Sequence, residues 1–489
     1  MKKILGLLFI LTFVILSSAC SNNLESVSKN LSLYSLNIEY IDESHTLNVE
    51  QNISLKNPTE TSLNELYFHL YPSAFSEGVV NKPVGVLSKV KAYPNGESYG
   101  NIKIDSIKSN SEELNFNIEG TDKDFLKVEL SSPLDLNSNI NLSLTYTVTL
   151  PNINHRFGYG NNTINCANFY PILCVYEEDW VKEPYHYNGD PFYSYLANYE
   201  VNLTAPSNLI LATSGEIKEV KENENKKSYS IDAYAVRDYA FVLSEKFNVL
   251  EEQVGKTNVK YYYYDEENPE EFLTASVDSL NTFNELFGEY PYSTLSVVKS
   301  NFVHGGMEYP NLVLISDDTS EKADYINVIV HEIAHQWWYG LVGNDEFRYG
   351  WLDEGLTEYS TNLFYQKNPQ YNVDANEVIK NTTSSWVTFV DLYTSVLGNV
   401  DTSMNRKLDE YNTEPEYVYV TYVKGMLFFN ELRTLLGDAK FLKAVQTYFE
   451  TYKFKNVTPE HLLGIFEQVS HTDLKGFFDS WINGNVVIK

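Results

Sequence analysis

Cysteine is scarce in this 489-residue chain: there are three, at Cys20, Cys166 and Cys174. A fold stapled by many disulfides is therefore excluded. Positive charge is also short, with 36 Lys and Arg against 66 Asp and Glu and a net charge of −30. Such a balance argues against nucleic acid as a partner and reads as a solvated, solubilising surface. No apolar run approaches the ~20 residues that cross a bilayer as a helix. The N-terminal run Ile4–Leu16 stops at 13. There is no fixed repeat of domain-building length and no low-complexity tract.

What is present is globular. Hydrophobic residues make up 43% and aromatics 14%, with 38 tyrosines, far from a disordered composition. The length calls for two or three domains. The chain begins "MKK", follows with the apolar run and ends it in "SSAC". A charged start, a short apolar core and small residues make a targeting segment. The cysteine placed after small residues resembles a bacterial lipoprotein cleavage box, although Ser17 stands where leucine is usual. That resemblance implies a signal peptide over 1–19, lipid on Cys20 and a polar tether over 20–30. The protein would then sit on the outer face of the cell membrane; a secretory peptide cut nearby is the simpler alternative. An exported protein can oxidise Cys166 and Cys174, but an extended strand would hold them too far apart, so a bridge needs a turn at Pro171.

From Leu31 to about residue 250 the chain reads as strands. "YSLNIEYI", "TLNVEQNISLKN", "NLSLTYTVTL" and "YEVNLTAP" alternate β-branched or aromatic residues with polar ones, between Asn, Ser and Gly breaks. These predict a large antiparallel β domain over 31–250. "VKYYYYDEENPEE" marks the crossing into a second domain, 251–489. There, helical periodicity in "FLTASVDSLNTFNELFG" is followed by strand patterns in "TLSVVKS" and "LVLIS", then mainly helices. The fold class is α+β and multidomain.

Within the second domain lies "VIVHEIAHQWWYG". On a helix, His331 and His335 share one face and can meet at one atom. Two neutral imidazoles suit a zinc ion, and Glu332 beside them suits a proton acceptor for a water held there. A third ligand is offered by Glu354, eighteen residues beyond His335 and near the start of a helical pattern from about Leu352 to Gln366. Two histidines and one carboxylate leave a fourth position open, which is the catalytic arrangement of one Zn2+ per chain. Glu358, four residues on, reads equally as a support for a zinc histidine or as an exposed charge on the helix face. Trp337, Trp338 and Trp351 read as packing around the site.

HExxH, a gap of eighteen and then Glu resembles the gluzincin metallopeptidases, in particular the aminopeptidase N family. Two further segments strengthen the likeness. "HGGMEYPNLVLI" matches the family's Gly-x-Met-Glu-Asn at Gly305, Gly306, Met307 and Glu308; "YVYVTYVKGML" places Tyr422 ahead of Val423, Lys424 and Gly425, where the family has a tyrosine before Glu-Lys-Gly. The resemblance implies a β domain followed by a thermolysin-like, mainly helical catalytic domain with a small sheet. It implies zinc on His331, His335 and Glu354, with Glu332 as base and Tyr422 as oxyanion donor. Gly305 to Glu308 would hold substrate, with the Glu308 carboxylate on the free α-ammonium of a peptide. Tyr417 would line the pocket. There are two departures. Tyr309 replaces the family's asparagine, which opens the way to an endopeptidase, and the family's large C-terminal helical domain has no counterpart after Tyr422. A peptide-binding lipoprotein without catalysis is the other alternative. Nothing in the sequence sets the oligomeric state.

Overall fold

The structure, a computed structural model, describes residues 23–488. The expected signal segment and Cys20 lie outside them. Among the described residues no helix is long and apolar enough to cross a membrane.

The first half is built on an eight-stranded sheet with a single parallel pairing. Its centre is the strand Ser32–Ile41, which forms an antiparallel hairpin with Thr46–Lys56. On its other side it runs parallel to Ala197–Pro206, Ser32 facing Ala197 and Glu39 facing Thr204. The expectation of a purely antiparallel domain is corrected at this pair. Strand periodicity gives which residues form strands, but not which distant strand comes alongside. Alternation works as read: Leu36, Ile38 and Tyr40 are buried on one face, while Asn37 points to solvent. Two four-stranded sheets complete this half.

Cys166 and Cys174 are both buried and both free, so the permitted disulfide is not formed. Cys166 ends the strand Ile164–Cys166 and Cys174 follows Ile172–Leu173, which belongs to a different sheet. Each is committed to its own sheet's core.

A five-stranded sheet opens the second half. The segment expected as a crossing, "VKYYY", is in fact part of the strand Thr257–Tyr263, paired with Asn248–Val254 and lying parallel to Thr294–Ser300. Its five-residue run shows why: Val259 and Tyr261 point into the core of this sheet. Leu312–Ser316 continues the parallel order, and the two-residue strand Gly306–Met307 closes it in antiparallel sense at the edge. Against this sheet packs the helix Lys322–Ala334, which buries Ile326, Ile329, Val330 and Ile333 at helical spacing. Each such burial stabilises the fold by roughly 1.5–3 kcal/mol. The helix Trp351–Lys367 lies beside it, and Ala375–Leu397, Lys424–Leu436, Asp438–Tyr452 and Pro459–Ser470 fill out the half.

The two halves are tied by a buried cation. The Arg237 guanidinium donates to the carbonyls of Tyr339 (2.7 Å) and Lys455 (2.6 Å) and to Asn456. Tyr339 itself sits at φ 148°, a strained backbone for a side chain of its size. Arg237 takes the carbonyl of that residue, four positions after His335 in sequence.

Candidate active site

His331 and His335 occupy the last turn of the helix Lys322–Ala334, His335 as its C-terminal cap. Their Nε2 atoms approach to 3.1 Å, and Glu354 Oε2 lies 3.1 Å from His335 Nε2 and 3.3 Å from His331 Nε2. Tetrahedral zinc with bonds of about 2.0–2.1 Å needs ligand atoms about 3.3 Å apart. The three donors fit that triangle. His335 Nδ1 is 3.0 Å from the Trp338 carbonyl, so its N–H belongs there and Nε2 presents a lone pair inward. Glu358 Oε1 stands 3.5 Å behind His331 Nδ1 and orients that ring. Burial opposes ionisation of Glu354, but the two imidazoles outweigh it and hold its carboxyl at about 2. A carboxylate so held is ready to ligate.

The remaining groups come from separate elements. Gly306 lets Glu332 in: a Cβ there would fall 2.3 Å from Glu332 Oε1, so only glycine allows the carboxylate to lie against the edge strand. Burial raises the Glu332 carboxyl to about 7, against the pull of both histidines. Its Oε2 is buried without a hydrogen-bond partner. Glu308, one residue past the strand, is 3% exposed, and its Oε1 is equally bare. Burial pushes its carboxyl well above the usual range. Two orphaned acceptors facing one cleft are costly unless something cationic or a proton donor enters.

Tyr422 sits in a five-residue π-helical stretch, Tyr419–Val423, between two α-helices. Such bulges concentrate at functional sites because they turn one side chain out of register. The Tyr422 hydroxyl donates to Glu354 Oε1, the oxygen turned away from the histidines. Two contacts fix this placement. Gly355 and Gly425 meet backbone to backbone, so the helix carrying Glu354 crosses the one following Tyr422 at closest approach. Lys424, fully buried, donates to the carbonyls of Thr402 (2.6 Å) and Trp481 (2.7 Å).

His331, His335, Glu332, Glu354, Glu308, Gly305, Gly306, Tyr417 and Tyr422 thus line one cavity of about 380 Å³. Met307 does not. Its side chain is buried in the core, because neighbours on a strand point to opposite faces. Tyr309 also turns away: its hydroxyl donates to Asn168 Oδ1 at 2.8 Å, deep between the halves. The substitution therefore leaves the cavity uncrowded. The three tryptophans are buried packing as expected.

The cavity also holds Arg156, Tyr187, Asp190 and Glu414, which no motif announced. Asp190 lies in "HYNGDPF", readable only as a turn. Arg156 and Asp190 pair with each other, the arginine 5% and the aspartate 14% exposed.

A buried two-histidine, one-carboxylate donor set beside a buried glutamate, on a helical domain with a small sheet, is the architecture of a one-zinc hydrolase centre. Residues 272–481 match the Peptidase family M1 domain. Among curated relatives it is 25% identical over 320 residues to aminopeptidase M1-D of Oryza sativa subsp. japonica, covering 59% of this chain and 34% of the relative. It is 28% identical over 235 residues to aminopeptidase B of Mus musculus, covering 44% and 34%. The chain thus spans about a third of the length of the curated relatives it matches. Among solved structures, the M1 zinc metallopeptidase of Deinococcus radiodurans superposes with a TM-score of 0.65 at 16% identity, covering 94% of this chain and 95% of that one. A variant of that protein bound to a Tyr-Ser-Ala substrate gives 0.64 at 16% identity, with the same coverage. These two establish the shared two-part fold.

Proposed function

We propose that this chain is a zinc aminopeptidase that removes N-terminal residues from peptides. The observation that carries the reading is the bare Glu308 carboxylate, buried in the cavity beside the zinc donor set. A free α-ammonium would satisfy it through a charge-assisted hydrogen bond, placing the first peptide bond at the histidines. The Tyr-Ser-Ala substrate bound to the Deinococcus variant agrees with a peptide in this cavity. The turned-away Tyr309 removes one of the two features that favoured an endopeptidase.

His331, His335 and Glu354 would hold the zinc. When bound, it supplies Lewis acidity to a water and to the scissile carbonyl. Glu332 accepts the proton of the attacking water. It can return that proton to the leaving amine. Tyr422, which now donates to Glu354, is placed to redirect its O–H to the carbonyl oxygen as charge develops there. A preorganised donor of this kind is worth roughly 3 kcal/mol in the barrier. Glu308 orients the substrate and takes no proton.

The protein would act outside the cell, anchored by lipid on Cys20. The targeting pattern of the first twenty residues supports this. Cys20→Ala should release it from the membrane fraction; wild type lacking lipid by mass spectrometry would rule the anchor out.

The test of the activity compares an amino-acid anilide or dipeptide with its N-acetylated form, together with zinc content and loss of turnover to a chelator. Equal rates on free and acetylated substrates would overturn the aminopeptidase reading. Full turnover without metal would overturn zinc hydrolysis altogether.

A further inference from the structure

A peptide held by its amine at Glu308, with its first peptide bond at the histidines, has to carry its remaining residues out of the cavity. That cavity holds about 380 Å³, near the small end of the range for ligand pockets, so they emerge at its mouth. One wall of the mouth is built by residues 78–96 of the β half, a loop between Tyr71–Phe75 and the strand Asn101–Ser109. Ser88 of this loop lines the cavity together with Val418 of the helical half. Around Ser88 stand Val86, Leu87 and Val90, which are 90%, 74% and 83% exposed, and Val418 itself is 44% exposed. We propose that these four side chains form an apolar rim for the residues that follow the scissile bond, so that the enzyme favours peptides with apolar second to fourth residues. The inference rests on the aminopeptidase reading above.

The loop is fixed at several points. The backbone N–H groups of Val80 and Asn81 donate to the Asp122 carboxylate at 2.7 and 2.8 Å. Towards its other end the Asn154 N–H donates to the Ala92 carbonyl at 2.8 Å. Val84 and Ala92 are buried and supply the loop's own apolar anchors. Gly85 brings the tip onto the cavity wall. A Cβ there would overlap the Glu414 carboxylate and fall 2.9 Å from the Tyr187 ring, and both of these residues line the cavity. The three outward side chains therefore contribute nothing to holding the loop. Aliphatic groups clustered in the open beside a binding cavity mark a surface that something covers.

Two observations favour a peptide over lipid as the cover. A loop that docks on an anionic membrane presents free basic side chains among its apolar ones. Here Lys89 pairs with Glu97, and Lys91 with Asp318 at 3.3 Å. The loop also leads into Asn101, which pairs with Thr149, and Thr149 with Thr46, at the end of the eight-stranded sheet opposite to Ser32. The 10-residue strand Ser32–Ile41 separates those ends by about 33 Å, so a chain tethered near its start carries the rim at the far end. A peptide leaving the cavity passes the rim in any case. Extended backbone sends successive side chains to opposite sides, which suits a mouth with one apolar side at Leu87 and another at Val418.

The test uses the full zinc-loaded chain and a double variant, Val86→Ser with Leu87→Ser. Both positions are exposed, so the melting temperature should move by no more than about 2 °C. Efficiency, kcat/KM, is measured on alanine anilide and on two pentapeptides that begin with alanine. One carries leucine and valine at its second to fourth positions, the other serine. Wild type should cleave the apolar pentapeptide about tenfold to a hundredfold more efficiently, the worth of one or two aliphatic side chains removed from water. In the double variant that ratio should fall to within about threefold of one, while the anilide, which has no residue beyond the bond, changes by less than about twofold. Equal efficiency on both pentapeptides in wild type, or a ratio that survives the double variant, would overturn the proposal. So would sedimentation of the Cys20→Ala chain with phosphatidylglycerol vesicles, or a dimer seen by light scattering, that the double change abolishes; these outcomes assign the rim to lipid or to a second copy. Failure of the underlying reading looks different: N-acetylated pentapeptides would then be cleaved as fast as the free ones.

Discussion

Adding one methyl group at Gly355 should damage an enzyme that the same change elsewhere would strengthen. A Cβ at Gly355 would lie 2.8 Å from Gly425 Cα and 3.1 Å from its carbonyl carbon. Carbon atoms rest at about 3.5–4.0 Å, so the two helices must part by roughly 1 Å. The obstacle is backbone and cannot rotate aside. Removing a helical glycine gains about 0.8–1.0 kcal/mol of propensity, while overpacking of this kind costs about 1–3 kcal/mol. The net is a loss of up to about 2 kcal/mol, or a melting temperature lowered by a few degrees. Function should suffer more than stability. The displaced residue adjoins Glu354, and its helix is levered away from Tyr422; misplacement by 1 Å can cost about a hundredfold in rate. Gly464→Ala is the control. Gly464 lies inside the helix Pro459–Ser470 with nothing within 4 Å of its would-be Cβ. It should raise the melting temperature and leave kcat unchanged. If Gly355→Ala and Gly464→Ala shift melting in the same direction and leave kcat alike, the crossing is not tight and the reasoning fails.

Other outcomes follow from the same geometry. Glu332→Gln should keep zinc by elemental analysis and lose about 10²–10⁴-fold in kcat, because an amide cannot accept the water's proton; retained turnover would assign the base elsewhere. Glu308→Ala should lose about 2–5 kcal/mol of efficiency on free-amine substrates and little on acetylated ones. An unchanged preference for free over acetylated termini would refute amine binding there. Lys424 gives a pH effect. Burial lowers its amine to about 7, whereas the unfolded lysine titrates near 10.4. Between those values the unfolded chain holds a proton that the folded one has released, so this group's contribution to stability rises with pH across the window and is flat below it. Relative to Lys424→Met, wild type should therefore gain melting temperature from pH 7 to 10; a constant difference would mean that Lys424 stays charged in the fold.

The convergence of His331, His335 and Glu354 was legible because a helix turns local spacing into geometry. His331 and His335 needed only their separation, and Glu354 a motif of fixed length. Glu308 was legible through a four-residue segment, but Met307 within that segment went the other way, since strand alternation sends neighbours to opposite faces. Asp190 and Arg156 could not be read. They meet each other across 34 positions, and their arrival at the cavity depends on a loop of the β half folding against a helix more than two hundred residues later; no local pattern encodes either. The same limit hid the parallel strand pair and the separate homes of Cys166 and Cys174. Tyr309 looked like an intruder in sequence; only its partner Asn168 shows where the phenol goes.

The parallel pairing of Ser32–Ile41 with Ala197–Pro206 has a consequence in time. Every paired residue in that ladder is 165 positions from its partner, as Asn37 is from Asn202. At synthesis rates of about 5–20 residues per second, the central strand of the largest sheet waits roughly 8–33 s for its neighbour. Throughout that wait its hairpin with Thr46–Lys56 presents an open edge with apolar residues on alternate positions, a ready template for another chain. A ribosome halted before residue 206 would release such an edge permanently. Aggregation during production should accordingly track the slow completion of this one ladder.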